Sequence, residues 1–172
     1  MAGQTQIDDL IEKMTSERER LLGVLAALSE EQASHSHKPG EWNQKQQMSH
    51  LAEMETTYRA WVEKALSEDG ASLDGLIGPR PGIPLEQAND NTAAQHIAEL
   101  RRQREITLQL VGSLQPEDYE RRARHQMFGE LTVLQWLRSY YRHDRMHYDQ
   151  VRGVEPEYKP RFVGKEPDQR RG

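Results

Sequence analysis

Apolar residues recur at helical spacing in four stretches of the chain. Ile7, Leu10, Met14, Leu21, Leu25 and Leu28 predict a first helix over roughly 5–28. The following segment carries His35, His37, Pro39 and Gly40 and reads as a loop. Asn43, three residues before Gln46, has the form of a capping box, and a second helix runs from there to about 66. Its apolar stripe is Leu51, Met54, Tyr58, Trp61, Val62 and Ala65.

Between residues 67 and 91 the pattern breaks. Gly70, Gly75, Gly78, Pro79, Pro81, Gly82 and Pro84 cannot share a helix or a sheet interior. This connection is longer than a bundle hairpin needs, and reads as a crossover, a pocket cover or a surface loop. Thr92 and Gln95 form a second capping box for a third helix at about 93–112, with Ala93, Ile97, Leu100, Leu108 and Val111 inward. Gly112 and Pro116 bound its end, and a charged loop follows over 113–127. A fourth helix is expected over about 130–151, with Val133, Leu137, Tyr140, Asp144, His147 and Val151 near one face. Pro156, Pro160, Gly164 and Pro167 predict an irregular tail over 156–172, with Tyr158, Phe162 and Val163 available to pin its start. Alternation of β-branched residues is almost absent, which argues against a sheet. The fold expected is all-α: one four-helix bundle domain over 1–155, with the order of helices around the bundle left open.

Composition narrows the function. A chain of 172 residues suits one domain, and its 28 acidic against 23 basic side chains argue against a general nucleic-acid binder. Arg101, Arg102 and Arg104, then Arg121, Arg122 and Arg124, are short basic clusters that read as solvated helix surface. Arg101, Arg104 and Arg145 are also candidates to hold an anionic cofactor. No cysteine is present, so a thiol can enter the chemistry only as substrate or cofactor. No stretch approaches the ~20 apolar residues of a membrane span, and the acidic start lacks the pattern of a secretory signal. The expectation is a cytoplasmic protein with no membrane partner.

The histidines carry the candidate chemistry. His143 and His147 stand four residues apart, one above the other on the last helix, and continue the inward stripe of Trp136 and Tyr140. The spacing alone is compatible with one ring packing and the other facing water. His50 lies in a matching setting on the second helix, followed by Met54, Tyr58 and Trp61. Inward imidazoles need partners for their nitrogens, and a shared divalent ion supplies one more completely than water does. Three neutral imidazoles leave an open position on zinc, nickel or ferrous iron. An ion so held stays positively charged and acidifies what binds there, a water or a thiol. Glu53, one turn from His50, is the candidate proton acceptor. Both Glu53 and Asp144 are candidate hydrogen-bond partners for a ligand imidazole. Tyr58, Trp136 and Tyr140 are candidate pocket residues beside the ion, and core packing accounts for them as well. His35 and His37 read as solvated, His96 lies off the main stripe, and His125 lies near enough to the last helix to touch the site.

At this point the chain resembles the DinB-like superfamily, over roughly residues 5–152. The likeness rests on Trp42-Asn43 leading to Met48-Ser49-His50-Leu51, on Phe128-Gly129-Glu130-Leu131-Thr132, and on His143-Asp144-Arg145-Met146-His147-Tyr148-Asp149-Gln150. The last motif is the most specific. The resemblance implies a four-helix bundle with a long crossover between helices two and three. It implies His50, His143 and His147 as metal ligands, and a homodimer. Related branches carry out metal-dependent transfer or isomerisation with low-molecular-weight thiols such as bacillithiol and mycothiol. The family name is not evidence of DNA binding. A thiol S-transferase acting on a small electrophile is therefore expected. The alternatives are hydrolysis by an activated water, with Glu53 or His125 moving the proton, and a non-enzymatic, stress-related metal protein in which the ion staples the bundle.

Overall fold

A computed structural model describes residues 2–159 and 169–170. Its helices are α1 (Gln4–Ala26), α2 (Glu30–Ser34), α3 (Gln44–Ser67), α4 (Ala93–Ser113) and α5 (Val133–Val151). The four long ones form the expected bundle. α1 and α3 each pack against both α4 and α5, so α1 faces α3 and α4 faces α5 across the bundle diagonals. The capping boxes expected at Asn43 and Thr92 are formed, and Ser29 and Thr132 make two more.

Cross-helix contacts give the directions. His50 meets His147, and Trp61 meets Trp136, so α3 and α5 are antiparallel. Asn43 bonds Asn89 just before α4, whereas Arg59 bonds Gln103 and Thr107 within it, so α3 and α4 run parallel. Parallel neighbours require a connection that returns along the bundle, and residues 68–92 are that crossover. It runs back along α3, and bonds spaced along the way hold it there. Trp61 Nε1 donates to the Leu76 carbonyl at 2.9 Å, Gly78 N–H to Thr57 Oγ1 at 3.1 Å, Leu85 N–H to Glu53 Oε1 at 3.0 Å, and Asn43 Nδ2 to Asn89 Oδ1 at 2.8 Å. Gly78 lies directly on the α3 backbone, where an added Cβ would stand 2.2 Å from the Thr56 carbonyl carbon.

A small sheet corrects the all-helical reading locally without changing the fold class. β1 (Ala71–Ser72) pairs in parallel with β2 (Arg122–His125), which pairs antiparallel with β3 (Gly129–Thr132). Arg122-Ala123-Arg124-His125 has no β-branched residue, so composition hid the strand. Its remaining signal is Gly129, whose φ of +79° closes a three-residue hairpin loop. β3 occupies 129–132, so α5 begins at Val133, behind its Thr132 cap, rather than at 130. In the tail, β4 (Tyr158–Lys159) pairs antiparallel with β5 (Gln169–Arg170), where an irregular chain was expected. Phe162 and Val163 lie outside the described residues.

Among the described residues the core is split in two. One apolar cluster includes Met14, Tyr58, Val111 and Tyr140; the other includes Leu21, Ala52 and Leu100. Between them lies one charged residue from each long helix: Arg18, Glu55, Arg104 and Asp144, all buried.

Candidate metal centre

His50 lies in the second turn of α3, and His143 and His147 lie on the antiparallel α5. Tyr58 against Tyr140 and Trp61 against Trp136 hold the two helices face to face on one side of the histidines. Among the described residues, these three imidazoles form the one cluster of histidine or acidic side chains close enough to share an ion, with ligand atoms all within 4.8 Å of one another. Ring centroids are separated by 4.7 Å for His143–His147, 5.4 Å for His50–His143 and 5.9 Å for His50–His147.

The donor set fits a divalent ion. The Nε2 atoms of His143 and His147 stand 3.2 Å apart. Two zinc–nitrogen bonds of 2.0–2.1 Å meeting near the tetrahedral angle would place their nitrogens about 3.3 Å apart. The lone pairs are also available. Burial lowers the His147 pKa to about 3, with the charges of His50 and Arg18 acting in the same direction. Burial, then His147 and His50, lowers that of His143 well below the ordinary value. Burial lowers that of His50 too, against the opposing charge of Glu53. All three rings are therefore neutral near pH 7, the form that binds a metal.

Two aromatic side chains border the triad. Tyr58, buried, brings its ring to 6.1 Å from His143. Trp42 lies 5.3 Å from His50 and is 42% exposed, so it stands at the mouth of the site. Beside it, Trp42, Gln47 and Gln150 line a cavity of about 510 Å³. Gln47 precedes His50 by three residues and Gln150 follows His147 by three, so the cavity shares two helix faces with the triad.

The other residues singled out from sequence have partners of their own. Tyr140 packs on Tyr58 at 5.6 Å, and its hydroxyl donates to the Glu55 carbonyl at 3.3 Å. Trp136 packs on Trp61 at 5.2 Å, and Trp61 in turn packs on Tyr58 at 5.4 Å. Glu53 uses Oε1 to hold the crossover at Leu85, and its charge acts on His50. His125 lies between Trp61 and Phe128, at 4.9 and 5.1 Å. His96 is buried, with Nε2 2.8 Å from the Ala88 carbonyl oxygen. His35 and His37 are exposed.

Two expectations are corrected. Asp144 is directed to Arg18 and Arg104 rather than to an imidazole. At position 144 the side chain points about 100° around the helix from His143, toward the bundle centre, where the guanidiniums are. Arg104 is not a surface cation; it is buried, and Glu55, Asp144 and the Met14 carbonyl share its guanidinium. Burial alone would lower the Arg104 pKa, but Asp144 and Glu55 raise it. Arg101 does lie on the surface, paired with Glu19. Arg145 is half-buried among Glu17, Asp149 and Glu157. Sequence reasoning missed the Arg18–Glu55 pair altogether, although both residues interrupt apolar stripes: Met14–Arg18–Leu21 and Ala52–Glu55–Tyr58.

The DinB superfamily model matches residues 13–151 of the chain. The uncharacterized protein YuaE of Bacillus subtilis (strain 168) is 26% identical over 147 residues, covering 76% of this chain and 87% of YuaE. YfiT from Bacillus subtilis, described as a probable metal-dependent hydrolase with an unusual four-helix bundle topology, matches with a TM-score of 0.72 at 17% identity. That match covers 89% of this chain and 87% of YfiT, and it is a likeness of fold.

Proposed function

The chain belongs to the DinB superfamily, and on that premise we propose that it is a metal-dependent enzyme of thiol S-transferase type. His50, His143 and His147 hold one divalent ion, and the reaction joins a small thiol to a small electrophile. The observation that carries this reading is a cluster of three neutral imidazoles with no carboxylate in it. Such a set would leave a bound divalent ion its full charge, and the ion would supply the Lewis acidity that favours the thiolate of a small thiol.

The chain's own residues have separate tasks. Burial keeps the imidazoles unprotonated. Glu55 and Asp144, the buried carboxylates nearest in sequence to the ligands on each helix, are committed to Arg18 and Arg104 and do not neutralise the centre. Trp42 offers an aromatic face at the mouth, and Gln47 and Gln150 offer amide donors and acceptors to a small polar molecule in the cavity beside it. Tyr58 forms the inner apolar wall. A homodimer completes the proposal, and sedimentation equilibrium checks it.

Hydrolysis is the second reading, and Glu53 favours it. One of its oxygens is used by Leu85, which leaves Oε2 to take a proton from an attacking water. YfiT, a structural neighbour, is itself described as a probable metal-dependent hydrolase.

Titration calorimetry of the zinc- or nickel-loaded protein with bacillithiol, mycothiol and glutathione tests the first reading. Binding that His143→Ala abolishes supports it, and absence of thiol binding contradicts it. Turnover of an ester or amide without thiol, with solvent ¹⁸O in the product, favours the second.

A further inference from the structure

We propose that the buried quartet Arg18, Glu55, Arg104 and Asp144 is the positioning device for the metal ligands. It fixes the register of α3 against α5 and so places His50 opposite His143 and His147. The proposal rests on the metal-binding reading above.

The geometry is closed on itself. The two carboxylates come from the helices that carry the histidines, and the two guanidiniums come from the other two long helices. Arg18 Nη2 donates to Glu55 Oε2 at 2.7 Å and to Asp144 Oδ1 at 2.9 Å, and its Nε donates to the same Asp144 oxygen at 3.1 Å. Arg104 Nε donates to Glu55 Oε1 at 2.8 Å, while its Nη2 donates to Glu55 Oε2 at 3.0 Å and lies 2.9 Å from Asp144 Oδ2. Each guanidinium thus bridges both carboxylates. The third nitrogen of each guanidinium, Nη1, donates to a backbone carbonyl, Leu100 for Arg18 and Met14 for Arg104. Thr107 Oγ1 adds a bond to Glu55 Oε1 at 2.8 Å.

Two positive and two negative charges cancel, so the layer needs no outside ion. Side chains in the quartet are at most 4% exposed. Buried ion pairs are often no more stabilising than apolar residues of the same size, and their best-attested use is to specify one register. Here a register is what the chemistry requires. Glu55 follows His50 by five residues, and Asp144 follows His143 by one. A slip of α3 along α5 that separates Glu55 from Asp144 therefore moves His50 from its partners by the same amount. The apolar clusters on either side can absorb a small slip by repacking, whereas metal–nitrogen bonds tolerate about 0.2 Å.

The test is cobalt(II) titration of the metal-free protein, read by its visible ligand-field spectrum, alongside thermal unfolding of the same metal-free samples. Two variants are compared with wild type. Glu55→Gln keeps the shape and removes one charge. The double variant Glu55→Leu with Arg104→Met removes one charge of each sign and leaves Arg18 paired with Asp144. The proposal expects the double variant to fold, with a cobalt affinity at least tenfold weaker and an altered spectrum. Folded variants with wild-type cobalt affinity and spectrum would overturn it. So would failure of both variants to fold, since the quartet would then be a stability element. If wild type itself binds no cobalt, the metal-binding reading fails first.

Discussion

The indole of Trp42 leans over the imidazole of His50, with ring centres 5.3 Å apart and planes 48° from parallel. The other two tryptophans, Trp61 and Trp136, are buried in the aromatic cluster at the far side of Tyr58. Trp42 is therefore the optical reporter of the triad. Cobalt(II) or nickel(II) binding is expected to quench tryptophan fluorescence. Trp42→Phe is expected to remove most of the metal-dependent part while leaving the stoichiometry at one ion per chain. Quenching that survives unchanged in Trp42→Phe would place the ion elsewhere.

Acid should weaken the metal-free protein in two stages. A histidine whose folded pKa is depressed cannot take the proton that the unfolded chain takes. Stability therefore begins to fall below the ordinary value of 6.5 and keeps falling until pH passes the folded value, about 3 for His147. Glu55 acts lower. Burial would raise its carboxyl, but Arg104 and Arg18 override this and hold it at about 2 against an ordinary 4.5. Its contribution is complete above pH 4.5 and is lost as pH falls toward 2. Each such group changes stability by about 1.4 kcal/mol per pH unit within its window. Urea unfolding is expected to show a loss of about 2 kcal/mol from His147 between pH 7.5 and 5, with His143 adding to it in the same direction. A flat profile over that range would contradict the burial of His143 and His147.

Three glycines should respond differently to alanine. At Gly78 the new Cβ meets α3 backbone at 2.2 Å, so Gly78→Ala must lift the crossover from its helix, at a cost of about 2 kcal/mol or more. At Gly82 the nearest atom is the carboxylate of Glu99 at 2.9 Å, the end of a flexible side chain, and a smaller loss is expected. Gly112 has nothing within 4 Å and lies inside α4, so Gly112→Ala should stabilise by roughly 0.5–1 kcal/mol. Denaturant midpoints that rank Gly78→Ala as harmless would contradict the crossover path.

Ligand binding to the folded state alone should raise its stability. At a metal concentration 100 times Kd the gain is about 2.7 kcal/mol. Differential scanning fluorimetry is expected to show a rise in Tm with zinc or nickel in wild type. That rise should vanish in His147→Ala, whose Tm should equal its own metal-free value. An equal rise in both proteins would indicate binding away from the triad.

Much of this was legible from sequence, and the limits have physical causes. The four long helices follow from apolar periodicity, and the boxes at Asn43 and Thr92 mark two starts closely because capping is a local bond. The convergence of His50 with His143 and His147 was legible because each continues an inward stripe. The hairpin at 122–132 was not, since each of its four-residue strands buries one side chain and leaves little alternation to read. The quartet was hidden for a different reason. An arginine reads as surface until its partners are known, and those of Arg104 lie 49 and 40 positions away, at Glu55 and Asp144. Asp144 was placed beside His143 by sequence adjacency, whereas helical geometry turns it toward Arg18.

All of the proposed chemistry depends on one ion shared between α3 and α5. A crystal structure of protein purified without an affinity metal, with anomalous data collected across the zinc, nickel and iron edges, tests it most directly. One anomalous peak is expected, bonded to Nε2 of His143, Nε2 of His147 and a ring nitrogen of His50, with its remaining side open beneath Trp42. A His50 ring turned to solvent, or an ion closed off by a fourth protein ligand, would contradict it.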